Sequence, residues 1–262
     1  MYNASASAGA AWRALFGRVF DDAGVAIETI EHGAPLPIHD LWSRQNLCCA
    51  FMCGWPFVHA NPPMQAIAAP VPAPARYGGL PRYCSEFLVR EASGWTTLED
   101  TFGHRFGWMA ANSQSGFNAP RAHLARLASA QRPALFSDVV GPLGTPALSL
   151  KALREGSVDV VALDSFYLDL LRHHDPSALA GIRCLATTAW TPIPLLVAAP
   201  AVSRDVVETL RAHLLEAGER PAYAPLFAAA CVQRFTAADV HAYRSLEAMA
   251  EDAARRGYER IR

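Results

Sequence analysis

The sequence predicts an α/β protein in which short apolar strands alternate with amphipathic helices around a parallel sheet. Three observations carry that prediction. Strand-length apolar runs recur at Tyr83–Arg90, Val158–Leu163 and Ile182–Thr187. Segments of helical period separate or flank them, and several begin and end on residues suited to helix caps. The 262 residues suffice for one large domain or for two lobes of about 100–150 residues each.

Residues 8–23 place Trp12, Leu15, Phe16, Val19 and Phe20 on one helical stripe, and Gly24 stops the helix. Val25–Ile30 reads as a strand. The apolar run Leu47–Phe51 leads into Cys53-Gly54-Trp55-Pro56. A further run, Ala66–Val71, ends in the proline-rich stretch to Pro74, which with Gly78-Gly79 forms a loop. After Tyr83–Arg90 come a short helix at Thr97–Asp100, a strand at Arg105–Ala110, a loop, and a helix to about Ala128. Helix Pro146–Glu155, strand Val158–Leu163, helix Ser165–His173 and strands Ile182–Thr187 and Leu195–Ala199 follow. The end reads as helical: Ser203–Ala217, Pro225–Ala230 and Thr236–Arg256. Thr236 and Asp239 form a box-like start to the last of these, and Gly257 a stop. There is no repeat of fixed period and no low-complexity tract.

Composition excludes some classes of function. The chain is 52% hydrophobic and 18% charged, with a formal net charge of -1. Such a surface lacks the excess cations that non-specific nucleic-acid binding requires, so no nucleic-acid partner is expected. No run approaches the roughly 20 apolar residues of a membrane span. The start, Met1-Tyr2-Asn3-Ala4-Ser5, has neither the basic nor the apolar region of a secretory signal. Two localisations stay open: cytoplasmic as it stands, or periplasmic from a trimmed N-terminus. The six cysteines (Cys48, Cys49, Cys53, Cys84, Cys184 and Cys231) form no paired framework and read as free, mostly buried thiols. Cys48, Cys49 and Cys53 lack a fourth ligand at zinc-type spacing, and His173-His174-Asp175 ends a helix where histidines suit the terminal carbonyls. No metal and no cofactor is expected. No G-x-S-x-G, H-E-x-x-H or Walker-type motif is present.

The segment that carries chemistry is Asn112-Ser113-Gln114-Ser115-Gly116-Phe117-Asn118, between a strand and a helix. Unpaired backbone N–H groups and the positive end of the helix dipole favour a negative group there. Gly116 permits close approach of the main chain to a ligand. Gly144-Thr145-Pro146 is a second start of the same kind, with Ser149 one turn on. Each also serves as an ordinary N-cap. Their pairing in one region is what points to an anion.

These residues resemble the phosphate/phosphonate-type substrate-binding proteins of ABC transporters, which have the type 2 periplasmic-binding fold. The similarity rests on YCSEFLVR (83–90), TLEDTFGHRFGWMAANSQSGFNAPR (97–121) and GTPALSLKALREGSVDVVALDS (144–165), with weaker likeness through CGWPF (53–57) and Thr187–Val197. It implies a two-lobed α/β fold hinged on two crossing strands, with lobe one at 1–88 plus 189–262 and lobe two at 89–188. Thr191-Pro192-Ile193-Pro194 is similar to the family's returning hinge. The implied ligand is a small oxyanion in the cleft, contacted by Ser113, Gln114, Ser115, Gly116, Gly144 and Thr145. The implied aromatic walls are Tyr83 and Trp55, with Asp164 at a strand end facing the cleft and Asn3 near the chain start. Pro146 departs from the family, which often has histidine there, and takes away a side-chain donor and a backbone N–H. The implied partners are a small anionic ligand and an ABC permease. The same fold also serves cytoplasmic enzymes of cofactor biosynthesis, for which His59, Cys84 or Asp164 are the candidate reactive groups, and sensor domains without a transporter.

Overall fold

The computed structural model describes residues 2–33 and 36–262; Met1, part of the N-terminal run considered above, lies outside the described residues. In chain order the elements are α1 (Ala6–Ala23), α2 (Ile38–Trp42), β1 (Cys49–Met52), α3 (Gly54–Val58), β2 (Gln65–Pro72), β3 (Arg82–Tyr83), β4 (Ser85–Arg90), β5 (Arg105–Gly107), α4 (Ala119–Leu124) and β6 (Asp138–Val140). They continue with α5 (Pro146–Arg154), β7 (Val160–Asp164), α6 (Ser165–His174), β8 (Ile182–Thr187), β9 (Thr191–Pro192), β10 (Leu195–Ala198), α7 (Arg204–Ala217), α8 (Ala224–Ala229), β11 (Val232–Thr236) and α9 (Ser245–Arg255).

The chain forms two compact units. Unit one comprises Met1–Arg82, Asp169–Pro176 and Pro192–Ala242; unit two comprises Tyr83–Leu168, Ser177–Thr191 and Tyr243–Arg262. The chain passes between them inside β3 and inside β9, the latter being the segment predicted as the returning hinge. It also passes inside α6, after Pro176 and after Ala242, so the C-terminal helix groups with unit two. The predicted division, with all of 189–262 in lobe one, places that helix with the other unit.

Unit one is built on a four-stranded sheet of order β1-β10-β2-β11. Its pairs β1–β10, β10–β2 and β2–β11 are all antiparallel. Helix α1 opens on Ser5, whose hydroxyl accepts from the Ala8 N–H, and closes on Gly24 at φ 64. Its stripe of Trp12, Leu15, Val19 and Phe20 is buried as the helical period predicts. The Trp12 and Phe16 rings meet Phe51 of β1 at 5.1 and 5.7 Å, which seals that face of the sheet. Arg211 of α7 donates to the carbonyls of Ala66 and Ile67, tying the helix to β2.

Unit two holds a five-stranded sheet of order β6-β5-β7-β4-β8. Strand β5 runs parallel to both β6 and β7, while β4 runs antiparallel to β7 and to β8. A fully parallel sheet is therefore not what forms. Parallel pairing appears where strand–helix–strand crossovers join β5, β6 and β7; β4 alone runs the other way, and β8, antiparallel to β4, resumes their direction. Phe87, Val89, Phe106, Leu124, Val160 and Tyr258 fill the core. At one end of the sheet Asp159 receives Arg90 and Arg105 at 2.9 Å each.

Two predicted elements do not form. Val25–Ile30 has no strand partner and runs as irregular chain, with Ile30 40% exposed. Thr236–Arg256 is not one helix: Thr236 ends β11, and Asp239 accepts from the His241 and Ala242 N–H groups in a turn before α9 begins at Ser245. The strand wins because Val232 and Phe235 are buried against β2, which outweighs local capping. The predicted strand Arg105–Ala110 stops at Gly107. Of the six thiols, all free, Cys53, Cys84 and Cys231 are buried, Cys48 and Cys49 are half-buried, and Cys184 is exposed.

Candidate functional site

In unit two each of the three parallel strands delivers the chain to a helix start: β5 to the turn at Ser113, β6 to α5, and β7 to α6. Because the strands share one direction, these starts lie beyond the same sheet edge. That edge is where open α/β sheets place ligands.

At the first start Ser113 is the N-cap, its Oγ accepting from the Gly116 N–H at 2.9 Å. The first turn is a π turn over Gln114–Asn118: the Asn118 N–H reaches back to the Ser113 carbonyl, and α4 continues from it. Gln114 is fully buried, its Oε1 accepting from Asn118 Nδ2 at 2.8 Å and its Nε2 lying 3.5 Å from Met249 Sδ. Its side chain thus belongs to the packing against α9 and does not face solvent, which leaves its backbone N–H as the group the resemblance implies for ligand contact. Asn118 is also committed, donating to the Leu246 carbonyl and accepting from Arg121. Ser115 is 6% exposed, and among the described residues neither its hydroxyl nor its N–H has a protein partner.

At the second start Thr145 Oγ1 accepts from the Leu148 N–H at 3.2 Å, and Pro146 occupies the first helical position. Ser149 donates back to the Thr145 carbonyl. Gly144 lies at φ 85, a left-handed backbone that glycine adopts without strain, and is exposed. The Gly144 and Thr145 N–H groups are bonded to the Met109 and Leu143 carbonyls. The Ala147 N–H is left over at this start.

Met109, which the sequence gave no reason to select, joins the two starts. Its N–H donates to the Gly116 carbonyl at 3.1 Å, and its carbonyl accepts from the Gly144 N–H at 2.8 Å. One residue's two backbone groups therefore hold one turn on each side. A Cβ on Gly116 would lie 2.5 Å from Met109 Cβ. This internal approach by itself requires glycine at position 116.

The third start uses Asp164. Its Oδ1 accepts from the Phe166 and Tyr167 N–H groups at 2.7 and 3.0 Å, so the carboxylate caps α6. Burial, with the Asp164 charge adding to it, pushes the Tyr167 hydroxyl up to about 12. Tyr83 is 1% exposed and sits in the core, as a strand tyrosine can. Trp55 and Asn3 belong to unit one. Trp55 is half-buried with its ring 4.4 Å from His59, and Asn3 is exposed just before α1. Of the candidate reactive groups, His59 is exposed in unit one, while Cys84 and Asp164 are buried in unit two. Glu86, which the sequence reading passed over, is a carboxylate 1% exposed on β4, beside Leu163 and Thr187 in register. A single acid inside β4, directly before the apolar run Phe87-Leu88-Val89, is the signal that marks it.

The first two starts can offer hydroxyl and N–H donors together with the fractional positive charge of two helix ends. The family model for the phosphonate ABC transporter's periplasmic substrate-binding protein matches residues 43–243. The chain belongs to this family. The family serves transporters as their substrate-binding component, which carries with it a small ligand and a permease partner. No helix among the described residues is long and apolar enough to cross a membrane.

Solved structures of this fold agree. A binding-protein component of a phosphonate ABC transporter from Pseudomonas aeruginosa superposes with a TM-score of 0.78 at 17% identity, over 95% of this chain and 82% of that one. A Prochlorococcus marinus protein solved in complex with methylphosphonate gives 0.74 at 15% identity, over 92% and 91%. A Xanthomonas citri protein solved bound to ATP gives 0.64 at 20% identity, over 94% and 92%. At such identities the likeness is one of fold, and the fold is the two-lobed binding-protein architecture. The comparison with curated proteins gives no sequence match.

Proposed function

We propose that the paired helix starts of unit two receive a small oxyanion of the phosphonate or phosphate kind, and that the chain acts as a binding component and not as an enzyme. The observation that carries this reading is the double tie at Met109, which keeps the Ser113–Gly116 turn and the Gly144–Thr145 turn side by side. The Ser115 hydroxyl and N–H and the Ala147 N–H are the uncommitted donors of that pair. The Ser113 and Thr145 hydroxyls cap their own helices, so they contribute by holding the turns in shape. No Lys, Arg or His side chain stands at positions 113–116 or 144–147. Recognition then rests on hydrogen bonds and helix ends, which suits a phosphonate or phosphate oxygen set over a bulky polyanion. Pro146 deletes one donor, so the oxyanion depends the more on Ser115.

The test is a thermal-shift series with phosphate, methylphosphonate, phosphite and sulfate on wild type and Ser115→Ala. Wild type is expected to gain stability by mass action, about 2.7 kcal/mol at a hundredfold excess over Kd. Ser115→Ala should fold as wild type does and lose most of the shift. An equal shift in both proteins places the anion elsewhere.

A further inference from the structure

We infer that unit one carries a transition-metal site formed by His173, His174 and Cys231, suited to a zinc-type divalent cation. One ring nitrogen from each histidine and the Cys231 sulfur lie within 4.8 Å of one another. All three residues fall inside unit one, the histidines at the end of α6 and the cysteine between α8 and β11.

The site is held by the turn that ends α8. Cys231 has φ 55, and it is the one non-glycine residue with a left-handed backbone among the described residues. Such a conformation persists where its surroundings fix it, and it is frequent at functional positions. Here the Cys231 N–H donates to the Ala228 carbonyl at 3.1 Å. The same turn orients His174, whose Nε2 lies 2.8 Å from the Ala229 carbonyl. A carbonyl can only accept, so Nε2 carries the proton and Nδ1 holds the lone pair. That pairing of a ring N–H with a main-chain carbonyl is the usual outer support of a metal-bound histidine. The His173 ring stands at 89° to that of His174, with centroids 4.6 Å apart, and His173 is exposed.

The donor set selects the ion. Two imidazoles and a thiolate favour zinc and its neighbours over magnesium or calcium, which prefer oxygen. Zinc sits about 2.0–2.3 Å from such ligands, so tetrahedral donors are roughly 3.5 Å apart. A rotation of the exposed His173 ring closes the remaining distance. As the sulfur–zinc bond forms, the Cys231 thiol releases its proton to solvent, and water fills the fourth position on the exposed side.

The experiment is titration of the full chain with Co2+ and with Zn2+ alone. Cys48 and Cys49, which neighbour one another in unit one and could compete, are replaced by serine in the background. Bound Co2+ is expected to give a thiolate-to-metal absorption band that Zn2+ displaces. Cys231→Ser should abolish the band with the near-ultraviolet circular dichroism unchanged. His173→Ala, whose exposed side chain is not part of the core, should weaken binding at least ~10-fold, as should His174→Ala. His241→Ala, an exposed histidine of the same unit, should leave binding unaltered. A band that survives Cys231→Ser, or affinities indifferent to both His173→Ala and His174→Ala, overturns the site.

Discussion

The two units use the same kinds of element and differ in how their strands run. In unit one the pairs β1–β10, β10–β2 and β2–β11 are antiparallel, so successive strand ends alternate between opposite edges of the sheet. In unit two β5, β6 and β7 share a direction, and three helix starts collect beyond one edge. Strand direction therefore decides where donor groups can gather. Unit one has comparably capped helices, Ser203 accepting from the Val206 N–H at the start of α7, but no set of co-directional neighbouring strands to gather their starts. Its distinctive cluster is instead the histidine–cysteine group at the end of a helix, where donors are ring nitrogens and sulfur.

The largest expected effect that separates the units is at Asp159. Asp159→Asn removes the carboxylate charge shared by Arg90 and Arg105 at the end of the unit-two sheet and is expected to cost up to about 3 kcal/mol, the range for lost charge-assisted hydrogen bonds, since Arg105 is open to solvent and Arg90 keeps the Leu153 and Val158 carbonyls. Hydrogen exchange should show the loss in β4, β5 and β7, with β1 and β10 unaltered; equal loss in both would mean they unfold as one. The same carboxylate predicts an acid response. Burial works to raise the Asp159 carboxyl, but Arg105 and Arg90 overcome it and bring it from 3.8 down to about 2. A depressed carboxylate contributes its stability in full above its unfolded value, and that contribution drains away as pH falls from about 4 through about 2. Asp159→Asn should flatten this part of the stability–pH curve, and a curve of unchanged slope would assign the acid response to other groups.

Gly116→Ala comes next. Its new Cβ meets Met109 Cβ, and displacing that contact is expected to cost about 2 kcal/mol by urea titration. An unchanged midpoint would show the turn to be soft.

The smallest effects form a matched pair. Ser113→Ala and Ser203→Ala each remove one N-cap, one per unit, and each should cost about 1 kcal/mol. Only Ser113→Ala should also reduce the oxyanion-dependent thermal shift. A loss of that shift in Ser203→Ala would remove the distinction between the units.

Much of this architecture is legible locally. The α1 stripe, the caps at Ser113 and Thr145, and the apolar run of β4 and β7 all follow from neighbours within one or two turns. What is not legible depends on distant partners. Val232 and Phe235, three residues apart and not in alternation, both become buried in a strand only because β2 pairs with it across a register shift, and the capping residues after it point to the wrong element. Val25–Ile30 has the residues of a strand and no sheet edge to join. In the site, the hydroxyls at 113, 115 and 145 are visible by type. The inward turn of Gln114 is not, since a π turn shifts which residues face the core. Nor does any pattern mark Met109, whose contribution comes from its main chain.

That main-chain contribution has a consequence for selectivity. Two loops fastened to opposite sides of a single residue keep a fixed gauge, much as rails keep theirs on one sleeper. Replacing the Met109 side chain leaves both fastenings in place, because each is made by N–H or C=O. On the proposed reading of the site, the width offered to a guest is thus written into the backbone, and diversification of such a receptor by point substitution can alter how tightly a guest is held more readily than how large that guest can be.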